Sequence, residues 1–183
     1  VHLRDALGFF EKQPLFGKKY LIPKIGCGPT ALGELLKEQG ADVDEIQVGE
    51  ISCRRGWMDK AMLKETDWLI FTSKNGVEAF FRELRHVGAD VRALAGRRIA
   101  VIGRKTGEEL ERHGLYADLM PGEFHSGELE TALRKSLGGS QRVWYLKAEN
   151  GDSHLRDSLR DVCRFQETVV YENRQVAADL GKV

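Results

Sequence analysis

The sequence predicts an α/β fold with a mostly parallel sheet that is covered on both faces. Two observations predict it. Short apolar runs such as WLIFT (68–72), RRIAVIG (97–103) and RVWYLK (142–147) alternate with segments whose apolar residues fall at helical spacing. Strands buried on both faces of a parallel sheet read as such unbroken runs. The helical segments also end in glycine, at Gly40, Gly88, Gly114 and Gly138-Gly139. Glycine suits the left-handed position that closes a helix.

The elements follow in order. Leu3, Leu7 and Phe10 give a short amphipathic lead-in that stops before Gln13-Pro14, because the residue preceding proline avoids the α region. KKYLIPKI (18–25) reads as a strand, Gly26-Cys27-Gly28 as a turn, and Pro29 as the first position of a helix with Leu32, Leu35 and Leu36 on its apolar face. DVDEIQVGEI (42–51) holds the next strand. WLIFT leads into a helix with Val77, Phe80, Phe81 and Leu84 on one stripe. RRIAVIG leads into a helix opened by Thr106-Gly107-Glu108-Glu109, a capping-box spacing. ADLMP (117–121) is a short strand. Ser126 caps a helix carrying Leu129, Ala132, Leu133 and Leu137. RVWYLK precedes a helix capped by Asp152 or Ser153, with Leu155, Leu159 and Val162 inward, and QETVVYEN (166–173) is the last strand. In such sheets the strand-to-helix loops share one edge, where ligands bind. Thr72 to Gly76, Gly103 to Thr106 and Ala148 to Asp152 belong to that edge.

Composition narrows the chemistry. Lys and Arg number 28 and Asp and Glu 28 in 183 residues, so no global basic field recruits nucleic acid or an anionic membrane. The apolar runs are far shorter than a membrane span. Cys27, Cys53 and Cys163 form no CxxC pair, which argues against a disulfide framework or zinc site. The first residues carry no signal-peptide pattern, and a cytoplasmic location is expected.

GCGPTALG (26–33) departs from GxGxxG spacing, and Pro29 removes an amide that a pyrophosphate would use; it reads as a plain turn. GxxxxGK[ST] is absent. Thr72, Ser73 and Asn75 stand where a helix start offers free amides and partial positive charge, although Ser73 can equally be only an N-cap. Gly103-Arg104-Lys105-Thr106 repeats the arrangement on the next strand with two cations added, so the two starts together can cradle carboxylates. Thr106 alone reads as a capping residue. Lys147 and Glu149 read as a solvated loop. Tyr171 ends the last strand, packed with its hydroxyl wet or poised to donate a proton. The five histidines show no HExxH or paired spacing and read as surface or capping residues. Spacing alone names no reaction.

The stretches DWLIFTSKNGVEAFF, RRIAVIGRKTGEELERHGLYADLMP and VVYENR, taken together, resemble the uroporphyrinogen-III synthase family. That family has a strand ending in F-T-S, an I-G-x-x-T turn, a G-L-x-A-D-x-x-P segment and a V-Y near the return crossing. The resemblance implies two flavodoxin-like α/β domains joined by a two-stranded hinge. It assigns 1–17 to a lead-in from an upstream uroporphyrinogen-III methyltransferase, 18–47 to the N-terminal βαβ piece of a split domain, 48–171 to a continuous domain and 172–183 to the return. On that reading the chain is a C-terminally shortened piece of a bifunctional protein. The implied reaction closes hydroxymethylbilane, a substrate with eight carboxylates, to uroporphyrinogen III with inversion of ring D, loss of water and no cofactor. It assigns Thr72, Ser73, Asn75, Gly103, Arg104, Lys105, Lys24 and Lys147 to substrate binding, Thr106 to binding or leaving-group assistance, and Tyr171 to proton donation. Lys24 stands where the family has the arginine of a Thr-Arg-Pro, which keeps the charge but loses the planar fork.

Two other functions compete. An unpartnered βαβ at 18–47 would expose apolar surface and a sheet edge, which a second copy could cover in a domain-swapped homodimer. A nucleotide-binding regulator lacks a phosphate loop or an acidic cluster.

Overall fold

The computed structural model describes residues 12–26, 28–122 and 126–177, with only the backbone of Ser126. The lead-in at 3–10, Cys27, His2 and His125 lie outside the described residues, as does the capping side chain of Ser126. The chain divides into two compact units, one of residues 1–51 and 173–183 and one of Ser52–Glu172.

In the first unit, β1 (Lys19–Ile25) runs parallel to β2 (Asp42–Cys53), and α1 (Ala31–Glu38) connects them. The pairing runs from Lys19↔Asp42 to Lys24↔Gln47, then shifts so that Ile25 faces Gly49. Pro29, expected at the first helical position, precedes the cap instead. Thr30 takes the N-cap, and its hydroxyl accepts from the Gly33 amide at 2.9 Å. The same hydroxyl donates to Glu45 Oε1 at 2.6 Å, and the Thr30 amide donates there at 2.9 Å. Lys24 Nζ completes the cluster at 2.9 Å from Glu45 Oε2. A Cβ at Gly33 would meet the Glu45 carboxylate, so glycine lets the helix pack inward with that carboxylate left on Lys24 and Thr30. Most of the expected apolar face is turned out: Leu32 and Leu35 are 56% and 59% exposed, and Leu36 is half-buried.

The second unit is built on four parallel strands in the order β4-β3-β5-β6: β3 is Trp68–Phe71, β4 Arg98–Val101, β5 Arg142–Ala148 and β6 Arg164–Gln175, of which residues up to Glu172 belong to this unit. Side chains alternate between the faces with period two. Leu69, Phe71, Ile99, Val101, Trp144 and Leu146 face one core, with Val77, Phe80, Phe81 and Leu84 of α3 (Lys74–His86) and Leu110 of α4 (Arg104–Arg112). Trp68, Ile70, Ala100, Val143 and Tyr145 face the other, with Leu129 and Leu133 of α5 (Ser126–Ser136) and Leu155 and Leu159 of α6 (His154–Leu159). Each large apolar side chain so buried stabilises the unit by ~1.5–3 kcal/mol relative to exposure.

Three elements differ from the sequence expectation. Helix α2 (Lys60–Glu65) and a 3₁₀ turn (Val91–Leu94) are additional. The ADLMP strand reduces to one parallel bridge, Ala100↔Leu119. Asp118 causes this: its carboxylate accepts from the Ile99 amide at 2.7 Å, taking a donor that a ladder would need. Before α2, the chain is tied down by Glu83, 2% exposed, which accepts from the Gly56 amide at 2.6 Å. Trp57 then packs edge-on against Trp144, ring centroids 5.8 Å apart.

The Lys24 ammonium, followed by the hydroxyl and amide of Thr30, lowers the Glu45 carboxyl from 4.5 to about 2. A depressed carboxyl contributes stability that is whole above its unfolded value and lost as pH falls through the folded one. We expect the Thr30 amide resonance to titrate with a midpoint near 2, and the step to vanish in Glu45→Gln. A midpoint at the unperturbed 4.5 would contradict this geometry.

Candidate functional site

Because β3 to β6 are parallel, their C-terminal ends share one rim. Thr72 and Ser73 follow β3 there, Gly103 to Thr106 follow β4, and Ala148 to Ser153 follow β5. Ser73 keeps an extended backbone (φ −153, ψ 152), so the alternation of β3 continues through it. Consecutive hydroxyls then point to opposite faces. Thr72 Oγ1 meets the hydroxyl of Tyr145 at 3.1 Å, and Ser73 Oγ meets that of Tyr171 at 2.9 Å. Ser73 is also the N-cap of α3, accepting from the Gly76 amide at 3.1 Å. A Cβ at Gly76 would lie 3.3 Å from the Leu146 carbonyl, so glycine lets the first turn of α3 close onto the end of β5. Asn75 sits half-buried in that turn.

Tyr171 reaches Ser73 through an irregularity in β6. Lys147 pairs with Val169 and Ala148 with Tyr171, which skips Val170. Val170 and Tyr171 therefore both enter the core beneath α3. Tyr171 is 6% exposed and Tyr145 3%, so the rings are core and the hydroxyls alone approach the rim.

At the second helix start, Thr106 is not the cap. Helix α4 begins at Arg104 behind Gly103, which offers no side-chain cap, and Thr106 lies inside the first turn, 4% exposed. The T-x-x-E spacing misleads because a glycine N-cap, Gly103, starts the helix three residues before the expected cap at Thr106. Ile102, Gly103, Arg104, Lys105 and Thr106 line an open hollow of ≈ 260 Å³. A neighbouring hollow of ≈ 230 Å³ is lined by Lys74, Lys105, Glu108, Glu109 and Arg112, from α3 and α4. Arg104 is exposed and pairs loosely with Glu108 at 3.9 Å.

Lys147 is not in a solvated loop. It is the sixth residue of β5 and 6% exposed. Its Nζ donates to Ser153 Oγ at 2.7 Å and lies 3.6 Å from Glu167 Oε1. Ser153 is the N-cap of α6 but makes no side-chain cap bond; Asp152 accepts from the His154 amide instead, at 2.8 Å. Glu149 pairs with Arg54, which also lies 3.7 Å from Glu172. Lys24 belongs to the first unit, where Glu45 and the Gly28 carbonyl hold its ammonium.

The rim thus gathers Thr72, Ser73, Gly103 to Thr106 and Tyr171. Tyr145 and Glu167 were not anticipated. In WYLK Tyr145 looks like one more apolar strand residue, and its place two positions before Lys147 on the same face was the available signal. A hollow of ≈ 330 Å³ lined by Arg142, Trp144, Arg164 and Gln166 lies at the opposite end of the strands.

Burial raises the Tyr145 phenol above 10, partly offset by the bond to Thr72 and reinforced by the charges of Glu167 and Asp152. The neutral phenol is the folded form, so its contribution to stability is present below 10 and lost as pH rises beyond it. We expect the Tyr145 phenol to ionise at higher pH than an ordinary tyrosine by ultraviolet phenolate absorbance, and Tyr145→Phe to remove that late step. Its survival in Tyr145→Phe would contradict the assignment.

The sequence model of a family described as uroporphyrinogen-III synthase HemD matches residues 30–183. The chain is 27% identical over 186 residues to "Porphyrin biosynthesis protein HemD" of Ruminiclostridium josui, covering 99% of the chain and 37% of that protein. It is 30% identical over 168 residues to a uroporphyrinogen-III synthase of Synechococcus elongatus, covering 88% of the chain and 61% of that protein. The chain therefore spans between about a third and three fifths of these relatives' length. The Thermus thermophilus uroporphyrinogen III synthase structure aligns with a TM-score of 0.54 at 16% identity, over 87% of this chain and 64% of that one. The Helicobacter pylori uroporphyrinogen-III synthetase structure aligns with a TM-score of 0.55 at 21% identity, over 89% and 65%. These structures share the fold, and the match over 30–183 shows that this chain belongs to the uroporphyrinogen-III synthase (HemD) family.

Proposed function

We propose that the chain contributes the hydroxyl-lined rim of a uroporphyrinogen-III synthase, a lyase of tetrapyrrole biosynthesis that closes hydroxymethylbilane to uroporphyrinogen III with loss of water. The observation that carries the reading is the pairing of Ser73 with Tyr171 beside two helix starts on one rim. Among the described residues, the cations beside the rim, Lys74, Lys105 and Arg112, stand with Glu108 and Glu109 between them, so charge alone does not make it a strongly basic pocket for an acidic substrate. Oriented amides and hydroxyls at helix starts hold carboxylates without one. The uncapped first turn of α4 leaves the amides of Arg104 and Lys105 without a side-chain acceptor. Ser73, Thr72 and Asn75 take one acidic arm, and Gly103, Arg104 and Lys105 another.

The chemistry asked of these residues is chiefly conformational. The linear tetrapyrrole can close unaided at the unsubstituted carbon of ring D, giving the uninverted isomer. Holding its arms bends it so that the carbon left electron-poor by departing water meets the substituted carbon of ring D. A spiro intermediate then reopens and recloses with ring D inverted. Prepaid orientation of this kind lowers a barrier by ~7–11 kcal/mol in favourable cases. Thr106 assists the departing hydroxyl. Tyr171, whose proton is shared with Ser73, supplies the proton that water carries away, and the pyrrole returns one at aromatisation.

The reading extends to a longer polypeptide, in which an upstream methyltransferase precedes the lead-in and further chain follows the return. The chain's 37% share of the Ruminiclostridium josui protein supports that reading. The free thiols of Cys53 and Cys163 fit a reducing cytoplasm, and no helix among the described residues is long and apolar enough to cross a membrane.

A polypeptide extended to the relatives' length is expected to convert freshly made hydroxymethylbilane mainly to isomer III. In Ser73→Ala/Thr106→Ala, kcat should fall by a factor on the order of 10²–10⁴, the usual loss when acid–base assistance is removed. Formation of only the uninverted isomer by the unsubstituted protein would overturn the synthase reading.

A further inference from the structure

Lys147, Ser153 and Glu167 form an inward polar cluster that carboxylate binding leaves without a role. Lys147 Nζ donates to Ser153 Oγ at 2.7 Å. Glu167 Oε1 lies 3.6 Å from Nζ and accepts no hydrogen bond among the described residues, while Oε2 lies 3.4 Å from Arg156. The arrangement has two costs. Ser153 stands at the N-cap of α6 with its hydroxyl drawn away, and only Asp152, through the His154 amide, caps that helix by a side chain. Desolvating a buried lysine and a partly buried glutamate offsets much of their attraction. Stability alone therefore does not account for the cluster.

Its geometry does. The loop Ala148–Ser153 begins immediately after Lys147 and ends at the residue that Lys147 holds. Within it, Gly151 donates to the Ala148 carbonyl at 2.9 Å. A Cβ on Gly151 would sit 2.9 Å from that carbonyl and 3.1 Å from Lys147 Cβ, so the loop is closed tightly over the lysine. The Glu149 amide of the same loop donates to the Tyr171 carbonyl at 2.9 Å. This is the point at which β6 has skipped Val170 and needs a partner to fix its register.

We propose that Lys147 is a positioning residue, which clamps the Ala148–Ser153 loop through Ser153 and thereby holds the backbone of Tyr171 so that its hydroxyl stays on Ser73. The clamp is a property of the fold; its effect on turnover rests on the synthase reading above. Lys147 itself stays out of contact with the substrate.

The test replaces the pair with apolar residues of similar volume, Lys147→Met/Glu167→Leu, since such a swap commonly restores the stability that a single substitution loses. Ser153→Ala serves as a second variant, because it removes the anchor and leaves the charges in place. In both we expect the melting temperature to stay near that of the parent chain while the Glu149 amide exchanges with deuterium about tenfold faster, a local opening rather than global unfolding. In the polypeptide of relatives' length, kcat should fall about tenfold with KM little changed, as for an interaction needed only in the transition state. Unchanged exchange at Glu149 in both variants overturns the clamp, and faster exchange with unchanged kcat overturns its catalytic role. If the unsubstituted polypeptide makes no inverted isomer, the synthase reading fails, and the exchange arm still decides whether Lys147 clamps the loop.

Discussion

The hydrogen bond between Ser73 and Tyr171 is the constraint on which the rim depends. It joins three elements of the second unit. Ser73 follows β3 by two residues and caps α3, and Tyr171 enters from β6. The bond itself contributes only about 0.5–1.5 kcal/mol. Its larger effect is geometric, because both partners have little freedom. Ser73 is fixed by strand alternation on one side and by the Gly76 amide on the other. Tyr171 is fixed by a buried ring and a skipped register position. Two hydroxyls so placed keep a defined orientation without a charged residue between them.

The rim is polar, and its cations are interleaved with carboxylates. Cations are present in Lys74, Arg104, Lys105 and Arg112, yet Glu108 and Glu109 stand among them. Attraction between exposed charges is weak and screened by salt. Amides fixed at a helix start and hydroxyls fixed by buried tyrosines need little reorganisation to receive a carboxylate, which is the useful property when the task is to hold a flexible substrate in one bend. The tyrosine on the other face makes the arrangement two-sided. Thr72 is held by Tyr145 as Ser73 is held by Tyr171, so both cores stiffen one short loop.

The alternation of apolar runs and amphipathic segments was legible as a parallel α/β sheet, since buried strands and glycine-terminated helices both leave local patterns. Gly40, Gly88 and Gly114 do adopt positive φ at their helix ends. Helix α2 was not legible because six residues, with only Leu63 buried, are too few to show a period. Thr106 was misplaced because a glycine start leaves no capping side chain to read. Ser73 was legible as a cap, but its tyrosine was not, because the contact depends on a register shift in β6 that adjacent residues do not encode. The same holds for Lys147. Its burial follows from partners on α6 and β6, and local sequence after an apolar strand suggests a wet loop equally well.

Binding of an acidic tetrapyrrole along this one rim is tested most directly by residue-resolved amide shifts. The polypeptide extended to the relatives' length would be titrated with uroporphyrinogen III under anaerobic conditions. Shifts concentrated at Thr72 to Gly76 and Gly103 to Thr106, weakened in Ser73→Ala, are the expected result. Shifts gathered instead around Arg142, Arg164 and Gln166, at the opposite ends of the same strands, would contradict it.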